Sequence, residues 1–129
     1  MTILLDTHAL HWWASEPNRL SAPAMRAIDS ADELAVAATS WYELARLVHR
    51  GRIGTSVPAR AYVEGLARDV RTVAMTPSIA VAAAELPKSF PGDPADRQIY
   101  ATALELGWRL VTSDRAIRVH DRDGSVVVW

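Results

Sequence analysis

Five short apolar runs punctuate this chain: "TILLD" (2–6), "ELAVAA" (33–38), "RTVAM" (71–75), "WRLVT" (108–112) and "SVVVW" (125–129). Each is too short for a stable helix and apolar enough to be buried, so each reads as a core strand. The stretches between them carry helical spacing. Trp41, Leu44, Ala45 and Val48 form one apolar stripe, and Ile79, Ala82, Ala83 and Leu86 form a second. Ile99, Tyr100, Ala103 and Leu104 form a third, which Gly107 ends as a C-cap. Pro58 and Pro77 fall where first-turn prolines belong, the latter behind Thr76 as N-cap. Strands alternating with helices predict an α/β fold, with helices covering both faces of a mostly parallel sheet of about five strands. In such a sheet the C-terminal ends of the strands share one edge, where the following helices begin and where ligands bind.

The acids collect at that edge. Asp6 closes the first strand, and Asp114 follows "WRLVT" directly. Glu43 is expected in the first turn of the helix after "ELAVAA", and Asp96 in the first turn of the helix before "WRLVT". Acids at helix starts are often caps, worth about 0.3–1 kcal/mol each. Neighbours can fill that role here. Thr7 can cap the first helix, Thr112 or Ser113 the last, and Asp93 followed by Pro94 is a strong cap for the helix that carries Asp96. Glu43 is ambiguous, since Ser40 to Glu43 fits a capping box and Arg46 lies three residues on.

Four carboxylates around one pocket repel one another, and some stay protonated near neutrality unless a cation joins them. Oxygen ligands without histidine or cysteine favour a hard ion, Mg2+ or Mn2+, over zinc. Such an ion orients and deprotonates water and neutralises charge on a phosphoryl oxygen, which points to phosphodiester hydrolysis.

The bulk numbers agree. At 129 residues, half of them apolar, the chain suits a single domain over 1–129. It has no cysteine, which excludes disulfides and thiolate metal sites. A charge after five residues argues against a secretory signal, and no stretch approaches the roughly 20 apolar residues of a membrane span. A cytoplasmic protein is expected. The formal net charge of −1 gives no compositional hint of nucleic-acid binding, although thirteen of the fourteen basic residues are arginine.

Four segments in order, "ILLDTHALHWW", "SWYELARLVHRGRI", "DPADRQIYATAL" and "LVTSDRAI", resemble the PIN-domain ribonucleases, especially VapC-type toxins of toxin–antitoxin pairs. The resemblance spans essentially the whole chain. It implies a PIN-like three-layer α/β/α sandwich, a homodimer, and Mg- or Mn-dependent endonucleolytic cleavage of RNA. It also implies a small antitoxin that blocks the acidic pocket. Asp6, Glu43, Asp96 and Asp114 match the family's acidic quartet, with Asp6 and Asp96 as the most direct metal ligands. Thr112 matches a residue that orients a carboxylate or water, and Asp93 matches an extra acid with a structural role. Gly92 departs from the pattern, standing where many relatives carry histidine.

His8 and His11, one turn apart, are the remaining metal-ligand candidates, whereas His49 and His120 are expected at the surface. Trp12, Trp13, Trp41 and Tyr42 suit core packing or an interface with an antitoxin or second copy. Arg46, Arg50 and Arg52 lie beyond Glu43 and are RNA-contact candidates, as is Arg97, which is alternatively a brace for an acid. "RLVHRGRI" lacks interleaved aromatic residues for stacking bases. Two other readings compete: a phosphate-accepting receiver domain, disfavoured by the single Asp6 and the lone Lys88, and a catalytically inactive PIN-like module that binds RNA or a partner.

Overall fold

A computed structural model describes residues 1–129. Its elements are β1 (Thr2–Leu5), α1 (Thr7–Ser15), a 3-10 turn (Pro17–Arg19), α2 (Ala22–Ser30), β2 (Glu33–Ala37) and α3 (Ala38–His49). There follow α4 (Ala59–Leu66), β3 (Arg71–Val73), α5 (Pro77–Glu85), α6 (Pro94–Leu106), β4 (Arg109–Val111), α7 (Arg115–His120) and β5 (Val127–Val128). Every strand lies inside one of the five apolar runs. They form one sheet in the order β3-β2-β1-β4-β5, and all neighbouring pairs are parallel.

Strand alternation divides the core into two layers. Ile3, Leu5, Val36 and Val111 face a cluster that includes Leu10 of α1, Ala24 of α2, Leu44 of α3 and Leu66 of α4. Leu4, Ala35, Ala37 and Leu110 face the other way, onto Ile99, Tyr100 and Ala103 of α6 and Ile117 of α7. Helices therefore cover both faces, giving the three-layer sandwich. The chain runs outward from β1 to β2 and β3, then returns to place β4 on the opposite side of β1. That reversal opens a crevice at the C-terminal ends of β1 and β4, the switch point at which open α/β sheets bind ligands.

Local signals set several helix ends. Thr76 caps α5 by accepting from the Ile79 amide at 3.2 Å, with Pro77 at the first helical position. Gly107 ends α6 at φ 67°, a left-handed conformation that glycine adopts without a Cβ clash.

Other expectations give way. α3 starts at Ala38, directly after β2, with Ala37 as an N-cap that makes no side-chain bond. Glu43 therefore lies in the second turn of α3, and Ser40 caps nothing; its buried hydroxyl has no hydrogen-bond partner. Pro58 occupies the N-cap of α4, just outside the first turn. Leu104 points outward, 44% exposed, because the apolar stripe of α6 is narrower than its spacing suggested.

β5 is only two residues long and is held by a buried acid. Asp121 accepts from the Val126 and Val127 amides at 3.1 and 2.8 Å, and from the Tyr100 hydroxyl at 3.1 Å. Ser125 adds a fourth bond at 3.3 Å.

Candidate active site

Two acids at the crevice serve as N-caps themselves. Asp6 follows β1 in an extended conformation, and its Oδ1 accepts from the Ala9 amide of α1 at 2.8 Å. Its Oδ2 accepts from the Thr112 hydroxyl. Asp114 caps α7 by accepting from the Ile117 amide at 3.0 Å. Thr7 and Thr112 are thus not the caps expected of them. The Thr7 hydroxyl donates to Glu43 Oε1, and Thr112 Oγ1 accepts from the Asp114 amide at 3.1 Å while donating to Asp6. Each threonine ties one acid to another part of the chain.

Asp93 and Asp96 divide their work as the sequence suggested. Asp93 Oδ1 accepts from the Asp96 amide at 3.0 Å and caps α6. The Asp96 carboxyl accepts no bond from the protein and faces the crevice.

These residues meet in a pocket of about 210 Å³, lined among others by Asp6, Thr7, His8, Glu43, Asp96 and Asp114. Carboxylate oxygens of Glu43, Asp93 and Asp96 approach within 4.8 Å of one another. The tightest grouping thus includes Asp93, expected only to brace the helix, and leaves Asp6 outside. The "DPAD" spacing carried that signal, since a cap and a residue three positions on meet at the same helix end. Burial and crowding raise the proton affinity of two of these acids, Asp96 and Asp6. Asp96 is pushed up to about 7, first by loss of solvent and then by the charges of Asp93, Asp114, Glu43 and Asp6. Desolvation also pushes Asp6 above the usual carboxylate range, against the lowering effect of its bonds to Thr112 and Ala9. An oxygen-only cluster of mutually repelling carboxyls fits a hard divalent cation, which would relieve that repulsion.

The PIN-domain family profile matches residues 3–123 of this sequence. The chain belongs to the PIN-domain family. It is 57% identical over 128 residues to Ribonuclease VapC22 of Mycobacterium tuberculosis, covering 99% of this chain and 98% of that protein. The fold is similar to VapBC-1 from nontypeable Haemophilus influenzae, with a TM-score of 0.70 at 18% identity over 98% of this chain and 96% of that one. It is also similar to Mycobacterium tuberculosis VapC20, described as a sarcin-ricin loop cleaving toxin, with a TM-score of 0.61 at 19% identity, covering 91% and 94% of the two chains.

Around the acidic pocket of this PIN domain, the remaining candidates separate. His11 is buried and already partnered: Nδ1 shares a 2.6 Å hydrogen bond with the Tyr62 hydroxyl, and Nε2 one of 3.1 Å with Glu16. It does not join His8 as a metal pair. His8 is exposed on the pocket wall, its ring 5.8 Å from that of Trp12. His120 is half-buried rather than superficial, with its edge against Phe90 and Tyr100. Trp12, Trp13 and Trp41 are half-buried against the core, whereas Tyr42 is 70% exposed with the Arg46 guanidinium over its ring. Arg46 makes no ion pair with Glu43, and neither Arg46 nor Arg50 lines the acidic pocket.

Arg97 turns away from the acids. Its guanidinium donates to the carbonyls of Ala83, Leu86, Pro87, Phe90 and Pro91 at 3.1–3.4 Å, lashing the end of α5 and the following loop to the start of α6. All its nitrogens are engaged, so it is a brace for the segment that carries Asp93 rather than a free contact for RNA.

Proposed function

We propose that this PIN-domain protein is an endoribonuclease of the VapC type, a toxin that hydrolyses RNA phosphodiester bonds with Mg2+ or Mn2+. The observation that carries the reading is the convergence of five acids, from four separate parts of the chain, on one crevice at the switch point of the sheet. Binding alone requires no such repelling group. The 57% identity to a ribonuclease over nearly the full length supports it independently.

Glu43, Asp93 and Asp96 would hold the ion, with Asp6 and Asp114 completing the charge around it. A bound divalent ion would lower the pKa of water and neutralise developing charge on a phosphoryl oxygen. The protein's own groups prepare the site. Thr112 and Ala9 fix the Asp6 carboxyl through both oxygens, and Thr7 fixes that of Glu43. Asp96 ionises only near neutrality, so its own charge becomes available to a cation over that range. Cleavage adds water across a P–O bond: its oxygen joins phosphorus, and the leaving oxygen takes a proton.

A cognate antitoxin that covers the pocket, a homodimeric state and a cytoplasmic location complete the proposal. Similar folds include a toxin–antitoxin complex, and no helix here is long and apolar enough to cross a membrane.

The test is cleavage of total RNA by protein freed of any partner. Mg2+ or Mn2+ should support cutting, EDTA should stop it, and Asp6→Asn or Asp96→Asn should abolish it. Undiminished cutting by either variant would remove that acid from the mechanism. Absence of cutting by the wild type with both metals would leave the binding-only module as the better reading.

A further inference from the structure

We propose that a second depression, beside the acidic pocket, is a nucleotide subsite that grips single-stranded RNA next to the scissile bond. This inference rests on the ribonuclease reading and extends it to substrate binding. The depression measures about 260 Å³ and is lined among others by His8, His11, Trp12, Glu16, Arg19 and Arg52. His8 forms part of the wall of both hollows, so they adjoin along one side of α1.

The chemistry suits a nucleotide in two ways. First, planar groups gather there. The His8 and Trp12 rings lie 5.8 Å apart, one helical turn along α1, and the Arg19 guanidinium sits 4.9 Å from the centre of the Trp12 ring. Bases stack on aromatic rings and on guanidinium planes alike. Trp12 is itself backed by Trp129 at 5.8 Å, which steadies the surface.

Second, the cations are not equivalent. Glu16 lies 3.9 Å from Arg19 and is also bonded to His11, so Arg19 is held in place and partly neutralised. Arg52 is exposed and has no carboxylate partner. It is carried to the depression by the turn after α3, in which Gly51 adopts φ 71°. A free guanidinium is matched to the paired oxygens of a phosphate. A pocket lined by four acids, with Asp93 close by, repels RNA, and a cation at its margin is what lets the strand approach. The aromatic residues missing from the "RLVHRGRI" segment are supplied here from α1, across the fold.

Arg52→Ala, Arg52→Lys and Arg52→Glu test the phosphate contact without touching the core. Affinity for a labelled single-stranded RNA is read by fluorescence anisotropy between 50 and 200 mM salt, values that span roughly the range over which phosphate contacts weaken. Cleavage kinetics with Mg2+ are followed in parallel. Arg52→Ala should weaken binding roughly tenfold and lower the salt slope by about 0.7, with Arg52→Lys intermediate and Arg52→Glu weaker still. KM should rise in proportion, while kcat changes by less than about twofold. Trp12→Leu should weaken binding where Trp12→Phe preserves it, compared at matched melting temperatures. Unchanged RNA affinity and KM in the Arg52 variants, with a wild type that cleaves, would overturn the subsite and leave the nuclease intact. Loss of affinity for a purified partner antitoxin, with RNA binding retained, would overturn it in favour of protein docking. A wild type that neither binds nor cuts RNA would overturn both readings together.

Discussion

The Thr112 hydroxyl donates to Asp6 Oδ2, joining residues 106 positions apart at the ends of the paired strands β4 and β1. Thr112 is fully buried, and its oxygen also accepts from the Asp114 amide, so one side chain sets the orientation of two acids.

Thr112→Val keeps the shape but removes both bonds. Asp6, losing a partner that lowers its proton affinity, would shift further up, and the Asp114 amide would lose its acceptor. Cleavage at fixed Mg2+ should fall at least about tenfold, with a higher Mg2+ concentration needed for half-maximal rate. Thr112→Ser, retaining the hydroxyl, should stay within about threefold of the wild type. Rates measured across a Mg2+ titration distinguish the two.

Asp96 makes metal-free stability depend on pH. Its folded pKa of about 7 lies above the ordinary value of 3.8, so between these limits the native state binds more protons than the unfolded state. Stability from this group is therefore greatest below the ordinary value, falls as pH rises toward about 7, and levels off above it. Thermal melts in EDTA should show that decline, and Asp96→Asn should flatten it and melt higher at pH 8. Saturating Mg2+ should restore stability above pH 7, by about 2.7 kcal/mol at a concentration 100 times Kd.

Asp121 should rank among the costliest single acids to remove. Asp121→Ala would strand the Val126 and Val127 amides and the Tyr100 hydroxyl, at a cost of about 3 kcal/mol in urea denaturation. Tyr100→Phe deletes one of the four donors and should cost only about 1 kcal/mol. Burial, and then the Asp121 charge, push the Tyr100 hydroxyl above the usual tyrosine range, so it remains a donor at any working pH.

Arg97→Met would leave the carbonyls of Ala83, Leu86, Pro87, Phe90 and Pro91 without their shared donor. A loss of about 2–4 kcal/mol is expected, with faster amide hydrogen exchange concentrated in residues 86–93. Because that segment leads into Asp93, affinity for Mg2+ should weaken too. Arg97→Lys should recover little, since an ammonium lacks the planar fork that reaches several carbonyls at once.

Much of the architecture was legible from residues close in sequence. The five apolar runs marked every strand, the Asp93–Pro94 pair and Thr76–Pro77 marked two helix starts, and Gly107 marked an end. From the alternation of elements alone, Asp6, Glu43, Asp96 and Asp114 could be assigned to one edge, because parallel strands have no other way to order their ends. Only the tertiary structure decided which hydroxyl holds which acid, that Asp93 joins the tightest carboxyl group, that Arg97 serves the loop, and that Trp12 and Arg52 line one depression next to the pocket. Caps and turns are governed by atoms within a few bonds along the chain, so residue type announces them. The other pairings depend on strand register and on how helices rotate as they pack, and no local run of residues encodes either.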